Sequence, residues 1–279
     1  MKLGGSIAAR FESAAQWGEM LEESGFSAVT CPVTHSASEG VVAQVLAQAA
    51  RLDVVVAEVG VWKNPLSPDA AEREAALRFS KDQLAFANEI GARCCVNIVG
   101  ARGPRWDGAY PDNFSSEAYE AIVRSIRDII DSARPKRTYY TIEPMPWMVP
   151  DGPDEYLQLI RDVDRERFAV HLDFVNMISS ARRFLSAGAF IESCFQKLGP
   201  STKSCHAKDI LLGTQFTTML REMAPGKGAL DYAQVLRAAN RFLAPDMPFL
   251  LEHMETDAEY AEAFRYVADI AAREGIATR

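Results

Sequence analysis

The chain has 279 residues, of which 48% are hydrophobic and 24% are charged, and its formal net charge is −8 at pH 7. This composition can form a large core, and barrels of alternating strands and helices commonly reach about 250 residues as one domain. Because a basic face supplies most nucleic-acid affinity, the acidic balance and the scattered basic residues exclude DNA or RNA as the expected partner.

The N-terminal segment and the cysteines indicate a cytoplasmic protein. The first residues lack the apolar run of a signal peptide, and no run approaches the roughly 20 apolar residues that span a bilayer. The five cysteines are odd in number and lack the spacing of a zinc ribbon, which is typical of small buried thiols in a reducing compartment. We therefore expect no membrane partner.

Strand-like and helix-like segments alternate along the whole chain. Short extended runs, most of them apolar, predict strands at residues 2–8, 26–33, 53–62, 92–100, 139–147, 168–173, 201–206 and 249–252. Apolar residues at helical spacing predict helices at residues 11–24, 40–52, 68–89, 115–133, 153–163, 181–198, 230–242 and 257–273. Two long loops, 101–114 and 210–228, separate some of these segments.

This alternation predicts the fold. Strands that alternate with helices form a parallel sheet, because each helix returns the chain to the same edge. Eight such units in 279 residues favour an α/β fold of the closed (β/α)8 TIM-barrel type, with residues 1–279 as a single domain. An open doubly wound sheet would be expected to carry a G-x-G-x-x-G loop after the first strand, and the sequence has none there.

Four consecutive predicted strands end in a residue that can bind a metal. In chain order these residues are Glu143, Asp173, His206 and Glu252. The carboxyl ends of the strands meet at one mouth of a (β/α)8 barrel, so the three carboxylates would repel one another unless a cation lies between them. Mn²⁺, Mg²⁺, Co²⁺ and Zn²⁺ all suit these ligand types, and we expect one divalent ion per chain, with Mn²⁺ first.

Other residues close to the strand ends are candidates for substrate contact. Trp62 and Trp147 end strands three and five and would form an aromatic wall beside a polyol, unless they pack beneath a loop. Lys208 and Asp209 follow the strand-seven histidine, and we expect one of them to contact substrate or hold a ligand, with a plain salt bridge as the alternative. His35, in the loop after strand two, is a candidate to reach the mouth.

The remaining acids and histidines of this region have predicted supporting places. Glu58 on strand three is a candidate to support the ligands, and we expect His171 to pack or to support rather than bind metal. His253 adjoins Glu252 and should point away from it, toward the helices. Basic loop residues that are either solvated or available to an anionic substrate are Arg102, Arg105 and Lys227.

The motifs around these residues resemble those of a known family. They are Ile142-Glu143-Pro144, Leu172-Asp173, Cys205-His206-Ala207-Lys208-Asp209, Leu251-Glu252-His253 and the turn Pro225-Gly226-Lys227-Gly228-Ala229-Leu230-Asp231-Tyr232. Over nearly the whole chain they look like the xylose-isomerase-like TIM barrels, the sugar phosphate isomerases/epimerases. The resemblance implies that the four strand-end residues bind one divalent cation. It also implies that Glu143 and Glu252 form an acid/base pair, as in the ketose 3-epimerase branch, and that the protein is a homo-oligomer, a dimer or tetramer.

One departure from the family pattern concerns the substrate. The endonuclease branch builds a three-zinc site that includes a histidine three residues after the strand-six aspartate, where this chain has Asn176. Since the chain has only four histidines, a trinuclear DNA-repair site is not expected. The ketose 3-epimerases also tend to carry histidine there, in contact with substrate. Asn176 is therefore a candidate for substrate contact, and it indicates a substrate other than a simple ketohexose.

The residues and the resemblance together predict a metal-dependent isomerase or epimerase of a sugar or keto-polyol. One glutamate would remove a proton beside a carbonyl, the metal would stabilise the resulting enediolate, and the other glutamate would return the proton. Loss of a β-hydroxyl from the same enediolate would instead make the protein a dehydratase of a keto-inositol or 3-keto-sugar. A non-catalytic sugar-binding barrel is the third alternative, against which the presence of both glutamates counts.

Overall fold

The computed structural model describes residues 1–278, and within them eight parallel strands close into a barrel. The strands of the molecule are β1 (Lys2–Gly5), β2 (Ala28–Thr30), β3 (Val55–Gly60), β4 (Cys94–Asn97), β5 (Tyr140–Ile142), β6 (Phe168–Asp173), β7 (Thr202–Ala207), β8 (Asp209–Leu212), β9 (Leu220–Met223) and β10 (Pro248–Leu251). All except β8 and β9 belong to the barrel, and β1 pairs with both β2 and β10 to close it. The predicted (β/α)8 barrel is therefore confirmed.

Helices connect the successive barrel strands. They are α1 (Ala14–Ser24), α2 (Glu39–Arg51), α3 (Ala70–Ile90), α4 (Ser116–Ala133), α5 (Pro153–Val163), α6 (Ala181–Leu185), α7 (Ala187–Leu198), α8 (Tyr232–Phe242) and α9 (Asp257–Arg273). The predicted helix at 181–198 is divided, because Ser186 leaves the helical conformation between α6 and α7. Within residues 1–278, no helix combines the length and the apolar character needed to cross a membrane.

Polar side chains at the helix starts explain where most of these helices begin. In each case a side-chain oxygen accepts a hydrogen bond from a backbone N–H of the first turn, and the capping residues are Ser13, Ser38, Asp69, Ser115, Ser180, Asp231 and Thr256. Such caps each contribute about 1 kcal/mol to helix stability. They therefore set the points at which the chain leaves each barrel loop.

The register of the strands brings the predicted site residues to one level. Asp173 on β6 pairs with His206 on β7, and His206 in turn pairs with Leu250 on β10. Glu143 follows the last residue of β5, and Glu252 follows the last residue of β10. The four side chains thus leave neighbouring strands at the carboxyl end of the barrel.

The segment after β7 differs from its prediction. Residues 210–228 were expected to form a loop, but β8 and β9 pair as an antiparallel hairpin in which Asp209 lies opposite Met223 and Leu212 opposite Leu220. The hairpin extends from the carboxyl end of the barrel, directly after the site residues of β7. The hairpin therefore places side chains near the mouth that the prediction of a loop did not assign there.

The backbone of β1 at Gly4 approaches β2 so closely that no side chain fits between them. A Cβ atom at Gly4 would lie 1.7 Å from the carbonyl oxygen of Ala28, a backbone atom that cannot move without disturbing β2. We expect Gly4→Ala to lower the free energy of unfolding by about 1–3 kcal/mol, as overpacking generally does. Urea unfolding followed by circular dichroism measures the change.

The matched control is Gly40→Ala in α2, where the added Cβ would have no neighbour within 4 Å. Because alanine is the better helix former, we expect this variant to be unchanged or more stable by up to about 1 kcal/mol. Equal shifts in the two variants would contradict the close approach of β1 to β2.

Candidate active site

The four predicted strand-end residues lie together in the barrel mouth. One ligand atom from each of Glu143, Asp173, His206 and Glu252 lies within 4.8 Å of the corresponding atoms of the others. His206 Nδ1 is 2.8 Å from Glu252 Oε2 and 3.3 Å from Glu143 Oε1. It is 3.9 Å from Asp173 Oδ2. Oxygen and imidazole atoms at these separations can surround a single divalent cation.

Backbone contacts aim one oxygen of Asp173 at this centre. Its Oδ1 accepts hydrogen bonds from the backbone N–H groups of Val175 and Asn176, each at 2.9 Å. Its Oδ2 and Glu252 Oε2 are buried and lack a partner with hydrogen-bond geometry. Lys208 Nζ lies 2.7 Å from each of these oxygens, but its single charge offsets only one of the three carboxylates. The donor set therefore fits a divalent metal.

Lys208 lies at the edge of the same centre and is fully buried. Its Nζ is 2.7 Å from both Asp173 Oδ2 and Glu252 Oε2, and 3.6 Å from Glu143 Oε1. The angles are not those of hydrogen bonds, so the contacts are ionic. Burial alone would lower the pKa of Lys208, but the Asp173 and Glu252 carboxylates raise it well above its usual value. Lys208 thus contacts three of the four candidate metal ligands, and its contact with substrate stays a prediction.

Glu58 holds the imidazole ring of His206 by a hydrogen bond to the nitrogen that faces away from the metal ligands. Glu58 Oε1 accepts from His206 Nε2 at 3.2 Å, while its Oε2 accepts from His171 Nε2 at 2.9 Å and from Ser204 Oγ at 3.1 Å. Burial would raise the pKa of Glu58, but the two histidines hold it well below its usual range. The carboxylate therefore remains an anion that orients His206, so that Nδ1 of the ring faces the centre.

The His206 ring lies between Glu58 at its Nε2 atom and Glu143 and Glu252 at its Nδ1 atom. Burial would lower the pKa of His206, but the carboxylates of Glu252, Glu143 and Glu58 raise it well above 6.5. Glu58, His171 and His206 also approach closely enough to hold an ion. Their separations of 2.9 and 3.2 Å are those of ordinary hydrogen bonds, so the group needs no ion to be satisfied.

A cavity of about 520 Å³ opens above this centre. Its floor includes Glu58, Glu143, His206 and Glu252, and its walls include the hydroxyl residues Ser6, Thr30 and Thr34. Loops after the barrel strands add Trp62, Trp106, Met145 and His253. The size lies within the range of small-molecule sites, which is about 300–1,000 Å³.

Of the two predicted aromatic walls, only Trp62 lines this cavity. Its φ angle is 51°, and its indole folds back over Gly60, where an added Cβ would lie 2.1 Å from the indole nitrogen. The prediction that Trp147 forms a wall is corrected, because Trp147 does not line the cavity. Its indole N–H donates to the carbonyl of Asp107 at 2.8 Å and so anchors that loop. Trp106, which was not singled out as a wall, contributes the second indole.

Asn176 and His35 do not line the cavity. Asn176 Nδ2 donates to Glu143 Oε1 at 3.0 Å, so it holds a strand-end carboxylate in place. His35 turns toward α3, where its Nδ1 is 3.0 Å from Gln83 Oε1 and its ring packs edge-on against Phe79. The prediction that His35 reaches the mouth is therefore corrected.

Asp209, the other residue of the Lys208–Asp209 pair, does not line the cavity, and its carboxylate organises a turn. Its Oδ1 accepts from the backbone N–H groups of Ile210 and Leu230, at 2.8 and 3.0 Å. Its Oδ2 accepts from those of Gly226 and Gly228, both at 3.1 Å. With all its acceptor capacity directed at backbone, Asp209 clamps the hairpin and the following turn to the barrel.

Two residues at the mouth differ from the sequence expectations. His253 has a φ angle of 61°, which turns it into the cavity and not toward the helices, and its Nδ1 is 2.7 Å from Glu222 Oε1. Glu222, on β9, also places Oε2 at 3.3 Å from Lys208 Nζ. A left-handed backbone at a histidine carries no clear sequence signal, and Glu222 was hidden in the segment expected to be a loop.

The basic loop residues contact neighbouring acids or backbone. Arg105 pairs with Asp107, with Nε 2.6 Å from Oδ1. Lys227 pairs with Glu262 on α9. Arg102 donates its backbone N–H to Asn113 Oδ1 at 2.8 Å. Local contacts thus hold these residues, which were predicted to be either solvated or available to an anionic substrate.

Comparisons with known proteins agree with this architecture. A family profile described as "Xylose isomerase-like TIM barrel" matches residues 18–270. No curated protein matches the sequence. A xylose isomerase-like TIM barrel protein from Mycobacterium smegmatis, in complex with magnesium, is 15% identical with a TM-score of 0.71, covering 98% of this chain and 97% of that one.

Two further solved structures have names that state an activity. D-psicose 3-epimerase in the presence of D-fructose is 17% identical with a TM-score of 0.72, covering 98% of this chain and 99% of its own. The apo form of 3-keto-D-glucoside 4-epimerase from E. coli is 14% identical with a TM-score of 0.71, covering 96% and 99%. At such identities the likeness shows the fold alone.

The clamp formed by Asp209 predicts the effect of its loss. In Asp209→Asn an amide group replaces one carboxylate oxygen, so two buried backbone N–H groups lose their acceptor at about 1–3 kcal/mol each. We expect the free energy of unfolding to fall by about 2 kcal/mol or more. The control is Asp231→Asn at the start of α8, since asparagine caps a helix as well as aspartate. Comparable loss in both variants, measured by urea unfolding, would argue against the clamp.

Proposed function

The chain belongs to the xylose isomerase-like TIM barrel family, and from that premise we propose that it is a divalent-metal-dependent isomerase or epimerase of a sugar or keto-polyol. The observation that carries the proposal is the convergence of four ligand atoms within 4.8 Å at the floor of a cavity. Two of the oxygens, on Asp173 and Glu252, are buried and both contact the single ammonium of Lys208. The sugar epimerases among the structural neighbours support the same class of reaction.

We propose that one cation is held by Glu143, Asp173, His206 and Glu252. Mn²⁺ is our first choice, and Mg²⁺, Co²⁺ and Zn²⁺ are alternatives; a magnesium complex occurs among the structural neighbours. When bound, such a cation polarises a substrate carbonyl and stabilises negative charge on its oxygen. The buried carboxylates of the centre outnumber its cationic groups, Lys208 and His206, which favours a further positive charge.

Glu143 and Glu252 are positioned to move the proton. They follow β5 and β10, and β6 and β7 lie between these strands in the barrel, so the two carboxylates approach a substrate from different sides. Removal of a proton beside the carbonyl by one carboxylate and its return by the other, to the opposite face of the same carbon, gives an epimer. Return of the proton to the neighbouring carbon gives aldose–ketose isomerisation.

Supporting residues fix these two acids. Asn176 donates to Glu143 Oε1, which leaves the other oxygen of that carboxylate for the substrate. Burial would raise the pKa of Glu252, but His206 and Lys208 hold it well below its usual range. The carboxylate of Glu252 is thereby kept as an anion, the form in which it can accept a proton.

A dehydratase of a keto-inositol or 3-keto-sugar is the second candidate, because of the position of His253. Its Nε2 is 3.5 Å from Glu252 Oε1. Its hydrogen bond to Glu222 raises its pKa above 6.5. A protonated imidazole beside the general base can donate a proton to a departing hydroxyl, which a simple epimerase does not need. The cytoplasmic location and the homo-oligomeric state stay predictions.

The proposal predicts bound metal. Protein reconstituted with Mn²⁺ should hold about one ion per chain, because the four ligands form one oxygen-rich set. Elemental analysis after gel filtration should show the ion in wild type and its loss in Glu143→Gln or Asp173→Asn. The matched control is Glu262→Gln, which removes an exposed acid paired with Lys227. A wild type that binds no divalent ion would contradict the proposal.

The same protein should exchange substrate protons. In D₂O, with a panel of ketoses and keto-inositols, we expect deuterium in the recovered sugar by mass spectrometry. Glu252→Gln should slow this exchange by about 10²–10⁴-fold, the usual contribution of a general acid or base. Exchange without change of formula supports an isomerase or epimerase, and loss of water supports the dehydratase. Failure to exchange with any panel member would leave a sugar-binding barrel without catalysis.

Glu58 is expected to control metal affinity through His206. In Glu58→Gln the acceptor of the His206 Nε2–H is weakened, so the ring loses both its orientation and some of its basicity. We expect Mn²⁺ affinity, measured by isothermal titration calorimetry, to fall about 10–100-fold. The visible absorption spectrum of the Co²⁺ form should change as well. Glu262→Gln is again the control, and an unchanged affinity in Glu58→Gln would contradict this role.

A further inference from the structure

We propose that the cavity takes an uncharged polyol and excludes phosphorylated or carboxylated substrates, and that Glu222 and Asp107 enforce this selection by occupying the nitrogen donors of His253, Lys208 and Arg105. The inference rests on the proposed function, whose substrate it narrows. It depends on which charged side chains reach the cavity and on what each of them already contacts.

The charged residues that line the cavity are mainly acids. Four carboxylates, those of Glu58, Asp107, Glu143 and Glu252, reach it, and among residues 1–278 no lysine or arginine does. Phosphate sites in proteins are built from arginine, lysine or helix N-termini, which supply both charge and donors. Here an incoming phosphate would meet like charge at the floor and at the wall.

The side-chain nitrogen donors near the mouth each contact a carboxylate. His253 lies 2.7 Å from Glu222 Oε1, and the other oxygen of Glu222 lies 3.3 Å from Lys208 Nζ. Arg105 forms a two-point contact with Asp107, at 2.6 and 3.0 Å. Glu222 and Asp107 thus occupy the donors that an anionic group of a substrate would otherwise use.

A bound metal does not reverse this balance. The ion would be surrounded by Glu143, Asp173 and Glu252, with Glu58 behind His206 and Lys208 beside it. The four carboxylates exceed by one charge the sum of a divalent cation and the Lys208 ammonium. Its field at the mouth would therefore be largely cancelled, while Asp107 remains on the wall of the cavity and Glu222 remains in contact with His253. The electrostatic preference against an anion persists in the loaded site.

The uncharged walls suit a polyol. Ser6 Oγ and Thr30 Oγ1 are 2.7 Å apart, so the pair has donor and acceptor capacity to share with a ligand hydroxyl. The indoles of Trp62 and Trp106 offer apolar surface to the C–H groups of a sugar ring or chain. Hydroxyls and aromatic surface together match a ligand that is polar along its length without being charged.

The test compares matched ligands by calorimetry. Mn²⁺-loaded protein is titrated with D-fructose, D-tagatose and 2-keto-myo-inositol, and with a monophosphate of each. We expect at least one neutral compound to bind at least tenfold more tightly than its phosphate. Equal or tighter binding of the phosphates, or binding of none of the neutral compounds, would overturn the inference.

Two variants test the assigned residues. Glu222→Gln releases His253 and Lys208, and Asp107→Asn releases Arg105. Each variant should therefore reduce the ratio of the affinities for neutral and phosphorylated ligands by at least threefold. Glu262→Gln makes the same charge change away from the cavity and should leave the difference unaltered. A similar narrowing in Glu262→Gln would show that net charge alone is responsible and would remove the role of Glu222 and Asp107.

Calorimetry also separates this inference from the proposed function, because heat of binding does not require turnover. Deuterium exchange without any preference between neutral and phosphorylated ligands would refute the inference and leave the proposed function intact. A clear preference without exchange would refute the proposed function and retain the selection of an uncharged ligand.

Discussion

The structure depends on a cluster of charged side chains that is buried where water cannot stabilise it. Glu143, Asp173 and Glu252 meet at the barrel mouth around His206 and Lys208, and all but Glu252 are almost inaccessible to solvent. Burying such charges is expensive unless each finds an opposite charge or a ligand. Loss of one partner leaves the others uncompensated, so the cluster is stable only as a unit. The surrounding strands and loops are arranged to keep that unit together.

The barrel supplies the required precision through its backbone. The backbone pairing of Asp173 with His206 fixes their spacing, since parallel strands hold corresponding residues at constant separation. Backbone N–H groups then orient Asp173, and Asp209 ties the hairpin back to the same end of the barrel. Side chains that must hold charge at short range thus lie on or directly after the hydrogen-bonded strands of the barrel.

The same distinction explains what could be predicted from sequence. Glu143 and Asp173 end apolar runs, and strand ends in a barrel converge whatever the loops do, so their meeting follows from pattern and topology. Trp147, His35 and His253 depend on loop paths and on single backbone angles, which neighbouring residues in the sequence do not specify. The clamp formed by Asp209 could not be predicted for a related reason, because its partners are backbone groups that no side-chain pattern reveals.

Chemistry and selectivity therefore reside on different parts of the molecule. The acids that would hold a metal and move a proton belong to the strand ends, while Trp62 and Trp106 reach the cavity from loops, and Glu222 on the hairpin contacts His253, which lines it. Loops change readily without disturbing a barrel, and strand ends do not. Glu222 joins the two parts, since it contacts Lys208 at the centre and His253 at the mouth. A change in the hairpin would thus alter the charge at the mouth and the partners of the buried lysine together, so substrate selection is electrostatically tied to the centre that it serves.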